Sequence, residues 1–184
     1  GVIGVEYATI FSALDVGVAL VESRSSFLDF IDHELIEDFT HQLRDRGMAI
    51  RFGSKVRSIE FDNDWPVTVL ENGRRIRSEL LLYAAGRVGA TDSLNLEVCG
   101  LVPDSRGRLK VDPATFQTAV PHIYSAGDAI GFPSLASTSM EQGRIAACHA
   151  FNIAMPPAPD YFPYGIYSVP EISTVVMSEE EVRK

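Results

Sequence analysis

The stretch GVIGVEYATIF, residues 1–11, sets two glycines three positions apart at the head of an apolar segment. Gly1, Gly4 and Glu6 fit the second half of a Gly-x-Gly-x-x-Gly-x-x-Glu-like phosphate loop, whose first glycine and leading strand would precede Gly1. A glycine turn into a helix suits pyrophosphate because small residues let backbone amides approach the oxygens and the helix N-terminus adds its positive end. Gly1 would be the close-approach glycine, and Gly4 the one that permits tight packing of helix on strand. Glycines at this spacing also begin ordinary helices, so residues further along the chain must decide between the two readings.

Residues 4–14 read as a helix with Ile10, Phe11 and Leu14 spaced to cover one face, and DVGVALVES, residues 15–23, reads as a short buried strand. A dinucleotide fold needs an acidic residue about twenty positions on, at the end of its second strand, to take the ribose hydroxyls. Glu22 stands there. Arg24, two residues later, could pair with the 2'-phosphate of NADP, whereas the carboxylate favours NAD; a solvated charge at a strand end is the plainer alternative for the arginine.

Asp32 can cap a second helix whose inner face carries Leu35, Ile36, Phe39 and Leu43, with Arg44 and Arg46 in its last turn and Gly47 beyond. Short strands MAIRF, KVRSIEF and VTVLENG come next, then RRIRSELLLYAAG, with Asn72-Gly73 marking a hairpin turn and LLLYAAG, residues 80–86, reading as a buried strand. The succession is an α/β nucleotide-binding unit carrying a β-meander. From about residue 90, Pro103, Pro113, Pro121 and Pro133 break the pattern into short pieces until a helix over residues 139–152. A proline-rich joint, MPPAPDYFP, residues 155–163, sets off the remainder, where Ser178 and Glu181 have capping-box spacing. Both ends read as cut from a longer chain.

The bulk numbers exclude several function classes. With 184 residues and 46% apolar content the chain can build a real core. A net charge of -9 argues against a broad electrostatic grip on nucleic acid or anionic lipid, so GRRIR, with Arg74, Arg75 and Arg77, reads as the exposed face of a hairpin strand. Apolar runs are too short to span a bilayer and there is no signal peptide, which reads as a soluble protein. Cys99 and Cys148 lie far apart and His33, His41, His122 and His149 are scattered, so neither a metal site nor a thiol redox pair is read from them.

The most specific segment is HIYSAGDAIGFPSLASTSMEQGRIAACHA, residues 122–150. Residues 123–126 read as a short strand, Gly127 frees the backbone, and Asp128 places a carboxylate at the strand end before a helix. With this segment the chain resembles the FAD-dependent pyridine nucleotide-disulfide oxidoreductases along its whole length. GVIGVEYA looks like their NAD(P) loop, YAAGRVGATDSL like the turn back into the flavin domain, and GIYSVPEIS like the start of the dimer-forming domain. The wording GRVGATDSLNLE, DSRGRLKV, GDAIGFPSLAS and YGIYSVPEIS is similar to members that pass hydride between two nicotinamide dinucleotides.

That resemblance implies a Rossmann-like NAD(P)-binding domain over residues 1–89 lacking its first strand, the return segment of an FAD-binding domain over 90–154, and the start of an α+β dimerisation domain over 155–184. It implies Gly1, Ile3 and Gly4 on the NAD(P) pyrophosphate, Glu22 on the adenosine ribose and Arg24 available for a 2'-phosphate. Glu6 would stand near the nicotinamide amide, its rival reading being a first-turn acid favoured by the helix dipole. Gly86 would lie against the cofactor, its rival a plain turn glycine. Gly127 and Asp128 would close on the flavin ribityl chain, with a simple turn cap the alternative for Asp128. Leu135, Ala136 and Ser137 would open a helix aimed at the flavin pyrimidine edge.

The chemistry implied is hydride transfer among NAD, NADP and bound FAD, with no side chain here acting as acid, base or nucleophile. A disulfide reductase such as lipoamide dehydrogenase is the alternative, decided by whether a redox cysteine pair lies upstream. A third reading has the chain as given only a nucleotide-binding fragment, binding FAD poorly and turning over nothing. The parent is expected to be a cytoplasmic homodimer with nicotinamide dinucleotides as substrates and with no nucleic-acid or membrane partner.

Overall fold

A computed structural model describes residues 1–154, 163–175 and 177–183. The chain forms two compact units, one of Gly1–Ala85 together with Pro163–Lys184 and one of Gly86–Phe162. Together they hold parallel and antiparallel strands with helices, a mixed α/β architecture.

In the first unit α1 (Val2–Ala13) leads to β1 (Ala19–Val21), then α2 (His33–Asp45) and β2 (Ala49–Arg51). β1 and β2 pair in parallel, Leu20 opposite Ile50, so β1-α2-β2 is one right-sized crossover unit. An antiparallel meander comes next: β3 (Val56–Asp62), β4 (Trp65–Leu70) and β5 (Arg75–Arg77), with β4 central. Asn72 Oδ1 accepts from the Arg74 amide in the β4–β5 turn, as the Asn-Gly pair requires. Arg75 and Arg77 lie outward on β5 and pair across the meander with Glu60 at 2.8 Å and Asp62 at 3.5 Å, so the basic run is a solvated face. The returning segment adds the hairpin of β6 (Tyr164–Ile166) and β7 (Ile172–Thr174) and a short helix, Glu179–Val182, after Ser178.

The core of this unit is built where α1, α2 and the loop before α2 converge: Val5, Ala8, Phe27, Leu28, Ile36, Phe39, Leu43 and Met48 are buried, with Ile166. α2 follows its sequence closely. Asp32 caps it by accepting from the Glu34 amide, and Ile36, Phe39 and Leu43 face inward, while Leu35, expected inside, is half exposed.

α1 departs from expectation. Ile10 and Leu14 are exposed, and the buried face is Val5, Ala8 and Thr9 instead. Thr9 accounts for the rotation: its hydroxyl donates to the Glu6 carbonyl at 3.0 Å and accepts from the Val169 amide at 3.0 Å, anchoring the polar residue inside. LLLYAAG also departs, since residues 80–86 form no strand and Leu80, Leu82 and Tyr83 are exposed. An apolar run makes a strand only where a neighbouring strand accepts its backbone, and none among the described residues does.

Among its described residues the second unit holds one long helix, α3 (Ala136–Ala150), starting three residues earlier than expected, and three short 3-10 turns. Residues 123–126 form no strand; a single bridge joins Tyr124 to Gln117. The apolar core is small, Phe116, Ile145 and Ala146 with Val111, Tyr124 and Ile130 packed on it. Polar side chains hold the loops: Asp104 accepts from the Arg106 and Arg108 amides, Asp112 from the Ala114 and Thr115 amides, and Thr91 donates to the Gly107 carbonyl. At Gly89 a Cβ would sit 2.1 Å from the Gly107 oxygen, so the two loops touch backbone to backbone. The MPPAPDYFP joint lies outside the described residues except for Pro163.

Candidate functional site

The two sets of expected ligand residues lie in different units. In the first, Gly1 is the N-cap of α1 and no side chain caps the helix start. Gly1 and Ile3 are exposed, and nothing stands within 4 Å of a Cβ placed at Gly1. A Cβ at Gly4 would meet the Ala84 Cβ at 3.5 Å, an ordinary contact, so α1 does lie close against the 80s segment there.

Glu22 follows β1 and is held by the end of β2, its amide donating to the Arg51 carbonyl at 3.0 Å. Its carboxylate is the centre of a charge cluster. Arg24 donates Nε to Oε1 at 3.2 Å, Nη2 to Oε2 at 3.0 Å and its own amide to Oε1 at 3.2 Å. Burial acts to raise the Glu22 pKa, but the side-chain and backbone hydrogen bonds of Arg24, with the charges of the Gly1 amino group and Arg24, outweigh it and hold the carboxyl at about 2. The same contact with Glu22 is the largest influence that pushes Arg24 upward. Arg24 also reaches Asp29 at 2.9 Å, a partner that sequence spacing did not single out.

Glu6 lies in the second turn of α1, so it is not a first-turn acid; its carboxylate accepts from the Tyr167 amide at 2.9 Å. Tyr167 comes from the returning segment, and no local signal in GVIGVEYA marks that partner.

In the second unit Gly127 is buried at φ +73, a conformation that favours glycine, and a Cβ there would come within 3.0 Å of the Ser139 hydroxyl. Its amide donates to the buried Gln142 Oε1 at 2.8 Å, which ties the turn to α3. Asp128 is half exposed and pairs with Arg87 at 2.8 Å. Gly86 lies at φ +114 with open space around it. Leu135 is the N-cap of α3, with no side-chain cap, and Ala136 and Ser137 are exposed in its first turn. Arg87 and Gln142 were not singled out by the sequence; both act through pairings that only the folded chain forms.

Two uncapped helix starts, each near a carboxylate with exposed ligand atoms or an adjacent arginine, fit the demands of dinucleotides: backbone donors for phosphate and carboxylates for sugar hydroxyls. Among the described residues no cluster of His, Cys, Asp or Glu could hold a metal ion, and Cys99 and Cys148 are both free. His33 and His41 face Glu37 and Asp45 one turn along α2, and His149 shares a hydrogen bond with Tyr124. No helix among the described residues is long and apolar enough to cross a membrane.

Comparison with known proteins extends this geometry. The chain is 48% identical over 184 residues to the soluble pyridine nucleotide transhydrogenase of Mycobacterium bovis (strain BCG / Pasteur 1173P2), and 45% over 183 residues to that of Serratia proteamaculans (strain 568). It spans 39% of the length of each of these curated relatives. Among solved structures, LpdA from Mycobacterium tuberculosis matches with a TM-score of 0.92 at 27% identity, covering all of this chain and 40% of that one. The HOCl-induced flavoprotein disulfide reductase RclA from Escherichia coli matches with a TM-score of 0.89 at 29% identity, covering all of this chain and 42% of that one. The sequence pattern of the family described as pyridine nucleotide-disulphide oxidoreductase matches residues 1–143, which takes in the starts of α1 and α3 and the carboxylates of Glu22 and Asp128. The chain therefore belongs to the pyridine nucleotide-disulphide oxidoreductase family, FAD-dependent oxidoreductases that use pyridine nucleotides.

Proposed function

We propose that the full-length protein is an FAD-dependent NAD(P)+ transhydrogenase of the Si-specific type, passing hydride between NADPH/NADP and NAD/NADH. The observation that carries this reading is the likeness of the whole of this chain, at 48% identity, to part of relatives named soluble pyridine nucleotide transhydrogenase. Bound FAD supplies the hydride acceptor and donor; the residues here bind and orient. Gly1, Ile3 and Gly4 hold the dinucleotide pyrophosphate with first-turn amides, and Glu22, ionised to about pH 2, accepts from the adenosine ribose hydroxyls. Arg24, paired with Glu22, is available to a 2'-phosphate. Glu6 orients the nicotinamide end, and Gly86 leaves room for the cofactor at the turn.

Asp128 accepts from a ribityl hydroxyl beside the Gly127 turn, and Leu135, Ala136 and Ser137 present the α3 amides where charge grows on flavin reduction. In this reading residues 1–89 belong to the NAD(P) domain, 90–154 to the FAD domain and 155–184 to the dimerisation domain of a cytoplasmic homodimer. The chain by itself binds FAD poorly and turns over nothing.

A disulfide reductase is the second reading, favoured by the name of the RclA neighbour. Reduction of an NAD analogue by NADPH, measured on the full-length flavin-loaded protein with and without lipoamide or glutathione disulfide, separates the two. Transfer between nicotinamides far faster than any disulfide reduction is the expected result; turnover only with a disulfide moves the function to thiol-linked reduction.

A further inference from the structure

Arg24 does not stand free at the end of β1. Its Nε and Nη2 are taken by the two oxygens of Glu22, and Nη1 donates to Asp29 Oδ1 at 2.9 Å. Every nitrogen of the guanidinium therefore already meets a carboxylate, and the trio carries more negative than positive charge.

Asp29 is well placed for this although its side chain is 65% exposed. The two residues before it are the most deeply buried of the loop, Phe27 at 0% and Leu28 at 1%. Leu28 adopts φ +57 and its carbonyl accepts from the Ile31 amide at 2.9 Å, closing a tight turn that projects Asp29 back toward Arg24. The carboxylate sits on an anchored turn rather than on a loose loop.

We propose that Asp29 is a specificity-determining residue: by occupying Arg24 Nη1 it biases the strand end toward dinucleotides with a free 2'-hydroxyl and against those with a 2'-phosphate. This rests on the reading of Glu22 and Arg24 as the adenosine-ribose site. A 2'-phosphate arriving there must either displace the Asp29 carboxylate from Nη1 or use the second N–H of Nη1 and Nη2, and in both cases it lies beside two carboxylates. A 2'-hydroxyl needs only Glu22, which is ionised and already oriented. Removing the Asp29 charge weakens its hold on Nη1 and leaves one carboxylate fewer beside an arriving phosphate, without disturbing the Glu22 pair.

The test is calorimetric titration of the full-length, FAD-loaded protein with adenosine 5'-diphosphate and with adenosine 2',5'-bisphosphate, in wild type, Asp29→Asn and Asp29→Glu. Asparagine keeps the size of an exposed side chain and deletes its charge; glutamate keeps the charge. In Asp29→Asn the 2'-phosphorylated ligand should gain about fivefold in affinity relative to the 5'-diphosphate, the scale of one exposed ion pair, with Asp29→Glu near wild type. An unchanged ratio in Asp29→Asn, with both ligands bound, overturns the proposal while leaving the ribose site standing. Loss of 5'-diphosphate binding in the variant alone makes Asp29 a structural support and overturns it too. If wild type binds neither ligand, the ribose-site reading falls and the proposal falls with it.

Discussion

The two units of this chain are held together by different physics. The first buries a large apolar cluster, with Phe27 packed against Phe39 at 5.8 Å and Phe52 at 5.2 Å between ring centroids. The second has a small apolar core and fixes its loops with Asp104, Asp112, Thr91 and Gln142 bonding backbone groups, and with a backbone contact that only glycine permits at position 89. Apolar packing tolerates local sequence change so long as volume is kept, whereas a polar and steric scaffold depends on particular atoms. In the proposed reading the difference suits what each unit would carry: a helix start and a strand-end carboxylate need a rigid crossover beneath them, while a cofactor threading loops would need loops whose amides are individually placed.

The contrast can be broken most severely from the apolar side. Phe27→Ala removes a fully buried ring and should cost about 4 kcal/mol. Amide hydrogen exchange would show the loss across residues 1–85; equal loss in residues 86–154 would show that the units do not unfold separately. From the steric side, Gly89→Ala drives a methyl into the Gly107 carbonyl and should cost about 2 kcal/mol, read as faster exchange around residues 89–109 with α2 unaffected. A variant with unchanged exchange would mean that the loops move apart at little cost.

The smallest effect sharpens a third kind of attachment, the charge pair at the end of β1. The Glu22 carboxyl is lowered from 4.5 to about 2 in the folded chain. A depressed carboxyl contributes stability that is complete above its unfolded value and is lost as pH falls toward its folded one. The stability difference between wild type and Glu22→Gln should therefore be constant above about pH 4.5 and shrink between there and about pH 2, measured by denaturant titration. A difference that does not change across that window would show that Arg24 does not hold the carboxylate in solution.

Much of the first unit was legible beforehand because its signals are local. Asp32 caps α2 within two residues of the amide it accepts from, Ile36, Phe39 and Leu43 repeat at helical spacing, and Asn72-Gly73 turns a hairpin by its own backbone preference. The same kind of reasoning misplaced the inner face of α1, because Thr9 is drawn inside by the Val169 amide, 160 residues away. It also assigned a strand to residues 80–86, where apolar character is present but a pairing partner is not.

At the candidate sites the division is similar. Glycine spacing and Glu22 pointed to a dinucleotide fold, and the Gly127-Asp128 segment to a flavin family, because backbone freedom and strand-end charge are encoded over a few adjacent positions. The partners of those residues were not encoded there. Asp29 on Arg24, Arg87 on Asp128, Gln142 on the Gly127 amide and Tyr167 on Glu6 are chosen by which chain segments meet, and a hydrogen bond across 5 to 161 residues leaves no periodic trace in the sequence. The sequence by itself determined the family, the crossover unit and the strand-end carboxylate. Tertiary structure decided what each charge leans on, since distance in space, not spacing along the chain, sets an electrostatic partner.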